Sequence, residues 1–150
     1  MNPFIARIGT VALGAAAVTG LVAAGHPDVT RARLEQSLTP VYTNLYLQQA
    51  KILGHPEFTA ATLAPSTVCD RGGPTVADVG PGADWICHIM FTDQAGTRQD
   101  GKFELNAKSN GCYVATGPSR INGPVIITDT KGQDVLNPVF EFDACYDPAG

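Results

Sequence analysis

Trp85-Ile86-Cys87-His88-Ile89-Met90-Phe91 is the stretch on which the fold turns. Trp85, Cys87, Ile89 and Phe91 fall on one side of an extended chain, and Ile86, His88 and Met90 on the other. A period of two with so large an apolar set on one side predicts a β-strand with one strongly buried face. Thr92-Asp93-Gln94-Ala95-Gly96 follows as a turn. Lys102 to Lys108 then alternates again, with Phe103, Leu105 and Ala107 directed inward. Asn110-Gly111 is the strongest hairpin signal in the chain, because both residue types accept positive φ, and it leads into the strand Cys112-Tyr113-Val114-Ala115.

Further on, Val125 to Thr128 reads as a strand, Asp129 to Gly132 as a turn and Val139 to Ala144 as the last strand. An internal echo links the two stretches. Thr92-Asp93-x-x-Gly96 precedes Phe103-Glu104-Leu105 and Cys112-Tyr113, while Thr128-Asp129-x-x-Gly132 precedes Phe140-Glu141-Phe142 and Cys145-Tyr146. Two hairpins of this design predict an antiparallel sheet of four to five strands.

Such a sheet needs cover on one face, and the upstream chain supplies it. Thr30 is placed to cap a helix over about 31–53, with Leu34, Leu38, Val41, Leu45 and Ile52 in one stripe and Tyr42 and Leu53 on its flank. Arg33, Gln36, Asn44 and Lys51 occupy the opposite side, and Gly54-His55-Pro56 ends the helix. Pro40 falls inside this pattern and predicts one helix kinked there. Glu57 to Val68 reads as a short turn and an incoming strand, and Cys69 to Asp84, with Gly72-Gly73-Pro74 and Gly80-Pro81-Gly82, as a loop. The predicted class is α+β: one long helix packed on an antiparallel sheet, in a single domain over 28–150 whose β-rich part spans about 66–146.

Residues 1–25 differ from the rest. Arg7 precedes a run from Ile8 to Ala24 without a charge, rich in Ala, Gly, Val and Leu, and Asp28 is the first acidic residue. This is the layout of a signal peptide cleaved near Ala24, or of a single membrane anchor with the C-terminal domain outside. The four cysteines, Cys69, Cys87, Cys112 and Cys145, all follow that segment. An even count in an exported small domain predicts two disulfides. Of the three connectivities, Cys69–Cys87 and Cys112–Cys145 is expected, since each pair brackets a turn-rich segment whose ends return to a common sheet.

The sequence Cys-Asp-Arg-Gly-Gly-Pro at 69–74, with Gly-Pro-Gly-Ala-Asp-Trp-x-Cys at 80–87 and Asn-Pro-Val-Phe-Glu-Phe-Asp-x-Cys at 137–145, resembles small exported or single-anchor proteins of high-GC Gram-positive bacteria. The resemblance implies one N-terminal hydrophobic segment before a cysteine-paired α+β domain. It transfers no catalytic residues.

Charge is sparse at 16%, the net charge is −4, and no basic stripe exists, which excludes a general nucleic-acid role. No Cys-x-x-Cys, Gly-x-Ser-x-Gly or phosphate-loop pattern occurs. Asp129 to Asp134 lacks the alternate acidic positions of a calcium loop and reads as a plain turn. His88 on a strand face fits a half-exposed structural histidine, and a small enzyme would have to assemble Asp70, Arg71 and His88. Glu104 and Glu141 recur in the two hairpins and fit alternating solvent-face residues better than a paired-carboxylate site. No cofactor and no metal are expected.

Two features suit binding to another protein. The loop between Cys69 and Cys87 carries Asp70, Arg71, Asp78 and Asp84, and a disulfide at its base lowers the entropy lost on binding. Tyr46 and Leu47 sit at the edge and on the polar side of the helix. These six residues are the candidate interaction set. The expected function is a non-enzymatic cell-envelope protein with an exported or membrane-protein partner; the alternative is a secreted ligand-binding or inhibitor-like domain.

Overall fold

The computed structural model describes residues 29–146, so the segment read above as signal peptide or anchor lies outside the described residues. Helix α1 spans Arg31–Ile52 and opens where the cap residue stands: Arg33 N–H donates to Thr30 Oγ1 at 3.3 Å. Pro40 lies within a continuous helix. Around the missing donor, the Thr39 and Thr43 hydroxyls donate to the carbonyls of Glu35 and Thr39, at 3.0 and 2.7 Å.

The buried line of α1 runs Leu34, Leu38, Tyr42, Tyr46 and Ala50, whereas Val41 and Leu45 are half-buried and Leu53 is 39% exposed. The expected stripe is thus rotated. Steps of four residues form a ridge inclined to the helix axis, and this ridge carries the aromatic rings that meet the sheet. Tyr42 stands 5.2 Å from Phe91 and 5.3 Å from Phe103 between ring centroids, and Tyr46 stands 5.2 Å from Phe91.

A short helix α2, Ala60–Leu63, leads into strand β1, Ser66–Arg71. Strands β2 (Gly82–Thr92), β3 (Arg98–Ala107) and β4 (Cys112–Thr116) follow as the predicted meander. Helix α3 (Ser119–Asn122), strands β5 (Ile126–Thr128) and β6 (Asp134–Leu136), and β7 (Glu141–Cys145) complete the chain. The main sheet has five strands in the order β1-β2-β3-β4-β7, with every neighbour antiparallel.

Two boundaries are corrected. The stretch expected as a loop from Cys69 to Asp84 is strand as far as Arg71 and again from Gly82. The strand expected over Val125 to Thr128 pairs only with β6, in a separate two-stranded hairpin, and β1 provides the fifth strand of the main sheet.

The echoed turns are nonetheless the same object. In one, Asp93 Oδ1 accepts from the N–H groups of Ala95 and Thr97 at 2.9 and 2.8 Å. In the other, Asp129 Oδ1 accepts from Lys131 and Gln133 at 2.8 and 2.9 Å. Each closes on a glycine of positive φ, Gly96 at 79° and Gly132 at 78°.

The second hairpin is held by a buried polar cluster instead of the main ladder. Gln49 Nε2 donates to Asn122 O at 2.7 Å and to Asn137 Oδ1 at 2.9 Å. Asn137 Nδ2 donates to Asn122 O at 2.7 Å, and Asn122 Nδ2 to Val139 O at 2.7 Å. Tyr42 caps the cluster by donating to Asn122 Oδ1 at 3.2 Å. Gly117 leaves the room: a Cβ there would stand 2.2 Å from Asn122 Nδ2 and 2.4 Å from a Phe103 ring carbon.

Both disulfides have the connectivity expected from the sequence, and each joins residues that stand directly opposed. Cys69 faces Cys87 across β1 and β2, with Cα atoms 4.0 Å apart, and Cys112 faces Cys145 across β4 and β7, with Cα atoms 3.8 Å apart. The first lies on the helix-covered face with both cysteines fully buried. The second lies on the open face, where Cys145 is exposed.

Candidate functional site

The charged residues of the 69–87 loop are brought together, but they are turned on each other. Arg71 Nε donates to Asp84 Oδ1 and Oδ2 at 2.9 and 3.0 Å, and its Nη1 donates to the carbonyl of Val79. Asp78 Oδ1 accepts from Arg71 N–H at 2.9 Å, and its Oδ2 lies 3.4 Å from Arg31 of α1. Asp70 Oδ1 accepts from Gly73 N–H at 2.6 Å, closing the turn after β1. Gly80 and Gly82 keep space for the guanidinium: a Cβ at either would approach Arg71 nitrogens at 2.8 and 2.9 Å. The loop is also tied to the helix entrance, where Thr30 bridges Val79 and Gly80 N–H donates to Val29 O at 2.8 Å. These polar groups brace the loop.

The helix pair divides. Tyr46 is only 4% exposed, packs on Phe91 and Phe58, and accepts from Gln94 N–H at 3.3 Å, so its ring belongs to the core and offers no contact surface. Burial, the largest influence, pushes its phenol above the ordinary range. Leu47 is half-buried.

Strand alternation separates Asp70 and His88, on the open face, from Arg71, whose side chain turns the other way. His88 Nδ1 instead lies 2.8 Å from Asp100 Oδ1. Glu104 and Glu141 both emerge on the open face, but Thr116 stands between them in register and donates to Glu141 at 3.2 Å. Among the described residues, no group of three or more His, Cys, Asp or Glu side chains is arranged to hold a metal ion, and no helix is long and apolar enough to cross a membrane.

The two edges of the sheet offer a different candidate. On β1, two of the three amides that point away from β2 are occupied: Cys69 N–H donates to Glu35 Oε1 of α1 at 2.9 Å, and Arg71 N–H to Asp78, while Thr67 N–H has no acceptor among the described residues and only its hydroxyl is engaged, by Thr39. On β7 the corresponding groups have no such cover. Tyr146 N–H donates to Gly111 O at 2.9 Å and Gly117 N–H to Phe140 O at 3.3 Å. In an antiparallel ladder these bonds alternate, so residues 140, 142, 144 and 146 face β4, while the backbone groups of Glu141, Asp143 and Cys145 face outward. No described residue takes a hydrogen bond with them.

Beside the start of this edge lies a hollow of about 270 Å³ lined by Val125, Leu136, Asn137, Phe140 and Glu141. Val125 is 46% exposed and Leu136 71%. The sequence offered little warning of this site. Val125 reads from sequence as the start of an ordinary strand and nothing marks Leu136; the separate β5–β6 hairpin brings both to the end of β7.

Comparison with protein-family models, with curated proteins and with solved structures finds no match to this chain.

Proposed function

We propose that this chain is a non-enzymatic envelope protein whose folded part binds another protein through the free edge of β7. The observation that carries the reading is the contrast between edges. The outward amides of Cys69 and Arg71 on β1 are capped by Glu35 and Asp78, while the outward backbone groups of Glu141, Asp143 and Cys145 stand open beside a hollow of mixed lining that includes Val125, Leu136 and Phe140. Sheet edges left open invite pairing, and folded proteins commonly cover them unless a partner does so. Two disulfides suit an oxidising compartment outside the cytosol. Export by the 1–25 segment, followed by anchoring or by release near Ala24, belongs to the same reading.

The test is site-specific photo-crosslinking in intact cells, with the reactive side chain at Asp143, at Lys102 in the middle of the open face, or at Ala77 in the braced loop. A discrete adduct from Asp143 that is absent from the other two positions is expected. Adducts from Ala77 alone would return the contact to the loop and sink the edge reading. N-terminal sequencing of the mature chain separates anchoring from release, because a start near Gly25 means release.

The hollow favours a second reading, a secreted ligand-binding domain. At about 270 Å³ it falls just under the usual range of small-molecule pockets. Its position at the strand edge suits one side chain of an extended peptide better than a whole ligand.

A further inference from the structure

We infer that the occupant of the β7 edge is an extended, basic segment of another protein, which adds as a sixth strand and places one apolar side chain in the hollow. This rests on the edge-binding reading and names the chemistry of its partner.

The outward backbone groups of Glu141, Asp143 and Cys145 set the spacing of main-chain bonds, and the same three residues direct their side chains to the open face. An added strand therefore meets two carboxylates, at alternate positions, on the side away from α1. Nearby on that face, Glu104 stands in the same cross-strand row as Thr116 and Glu141. Opposite charges on neighbouring strands stabilise a pair, and like charges set directly opposite oppose it. Lysine or arginine at alternate positions of the incoming strand satisfies the row.

The same charges work against the most obvious competitor, a second copy of this chain. An antiparallel β7–β7 pair must match outward residues with outward residues. A two-fold axis centred on Phe142 sets Glu141 against Asp143, and one centred on Asp143 sets Asp143 against itself. Both place carboxylate on carboxylate. An axis centred on Ala144 instead sets Asp143 against Cys145, so the charges favour a basic strand over a second copy in the first two registers.

The hollow adds direction. It lies at the Glu141 end of β7, against Phe140, with Val125 and Leu136 from the separate hairpin forming its far wall. A leucine-sized side chain at the corresponding end of the incoming segment covers the most exposed of these groups, Leu136.

The experiment uses the oxidised full chain and two synthetic peptides: one alternating lysine with valine and ending in leucine, the other with glutamate in place of lysine. Amide hydrogen exchange is read by NMR. The lysine peptide is expected to slow exchange at Glu141, Asp143 and Cys145 by roughly tenfold or more at saturation, and the glutamate peptide to leave it unchanged. Asp143→Lys is expected to weaken the lysine peptide several-fold. Asp143→Pro removes one outward donor without touching the β4 ladder, and is expected to abolish the protection given by the lysine peptide.

Equal protection by both peptides overturns the charge assignment while leaving edge binding intact. Protection of these amides that rises with protein concentration and needs no peptide overturns it in favour of a second copy. Binding of the lysine peptide that maps to another surface overturns both the partner chemistry and the edge reading. A cellular crosslink at Asp143 without lysine-peptide binding leaves the edge reading standing and removes the basic strand.

Discussion

The two outer strands of the sheet are each stapled by a disulfide to the strand beside them, yet they meet the surroundings in opposite ways. On β1 the bond Cys69–Cys87 lies in the core beneath α1, and Glu35 reaches from the helix to take the outward amide of Cys69. On β7 the bond Cys112–Cys145 lies on the open face, and the outward backbone carries only the acidic side chains of Glu141 and Asp143 beside it. A covalent staple thus holds each edge in place, and what differs is whether the backbone of that edge is already occupied. One edge is part of the structure; the other is available to a partner.

The largest expected effect separates the staples. In the chain-entropy account, losing the 18-residue loop of Cys69–Cys87 costs about 3 kcal/mol, and losing the 33-residue loop of Cys112–Cys145 about 4. Replacing the inner pair by alanine also leaves a void in a packed core, which adds about 1–3 kcal/mol. The inner double variant should therefore be the less stable of the two in urea unfolding, despite its shorter loop. If the outer double variant is clearly the weaker, burial is not what distinguishes the edges.

A middle-sized effect tests the cover on β1. Glu35→Ala removes the acceptor of Cys69 N–H and the partner of Arg31 Nε, which lies 2.9 Å from the same carboxylate. A loss of about 1–2 kcal/mol and faster exchange at the Cys69 amide are expected. Asp143→Ala on the other edge should stay within about 0.5 kcal/mol of the parent. Equal losses would erase the contrast.

The smallest effect belongs to neither edge and serves as a reference. Burial works against the charge of Asp93, but hydrogen bonds from Gln99 and from the amides of Thr97 and Ala95 outweigh it and hold its carboxyl below the ordinary range. Its contribution is therefore present above the usual carboxylate range and lost as pH falls through the depressed folded value. Asp93→Asn should flatten the acid limb of a stability–pH curve slightly and leave the Glu35→Ala and Asp143→Ala comparison unaltered. An unchanged acid limb would mean that the turn bonds do not depend on charge.

Much of this architecture could be read from residue patterns, and the exceptions have physical causes. Trp85, Cys87, Ile89 and Phe91 declare their strand because alternation is strong where one face is deeply buried. Ser66 to Arg71 hides its strand, since only Cys69 in it is fully buried and Gly72-Gly73-Pro74 looks like a continuing loop. The buried ridge of α1 departs from its aliphatic stripe because Tyr42 and Tyr46, which lie at the margin of that stripe, carry the contact with the sheet. Arg71, Asp78 and Asp84 looked available because a sequence shows charges without their partners. The open edge of β7 is a property of strand order, and no local pattern around Glu141 and Asp143 announces which strands end up outermost.

The directly opposed cysteines have a mechanical consequence. Tension applied at the two ends of the described chain enters the second hairpin region through Cys145 and leaves through Cys112 by way of the bond between them. Residues 113–144, with the polar cluster around Asn137 and the hollow beside β7, then carry no load. Cys69–Cys87 gives the braced loop the same shelter. Under pull, only α1 with its link to β1 and the β2–β3 hairpin can lengthen, and β4 and β7 stay joined at Cys112–Cys145 even after Gln49 and Tyr42 are drawn away from the polar cluster.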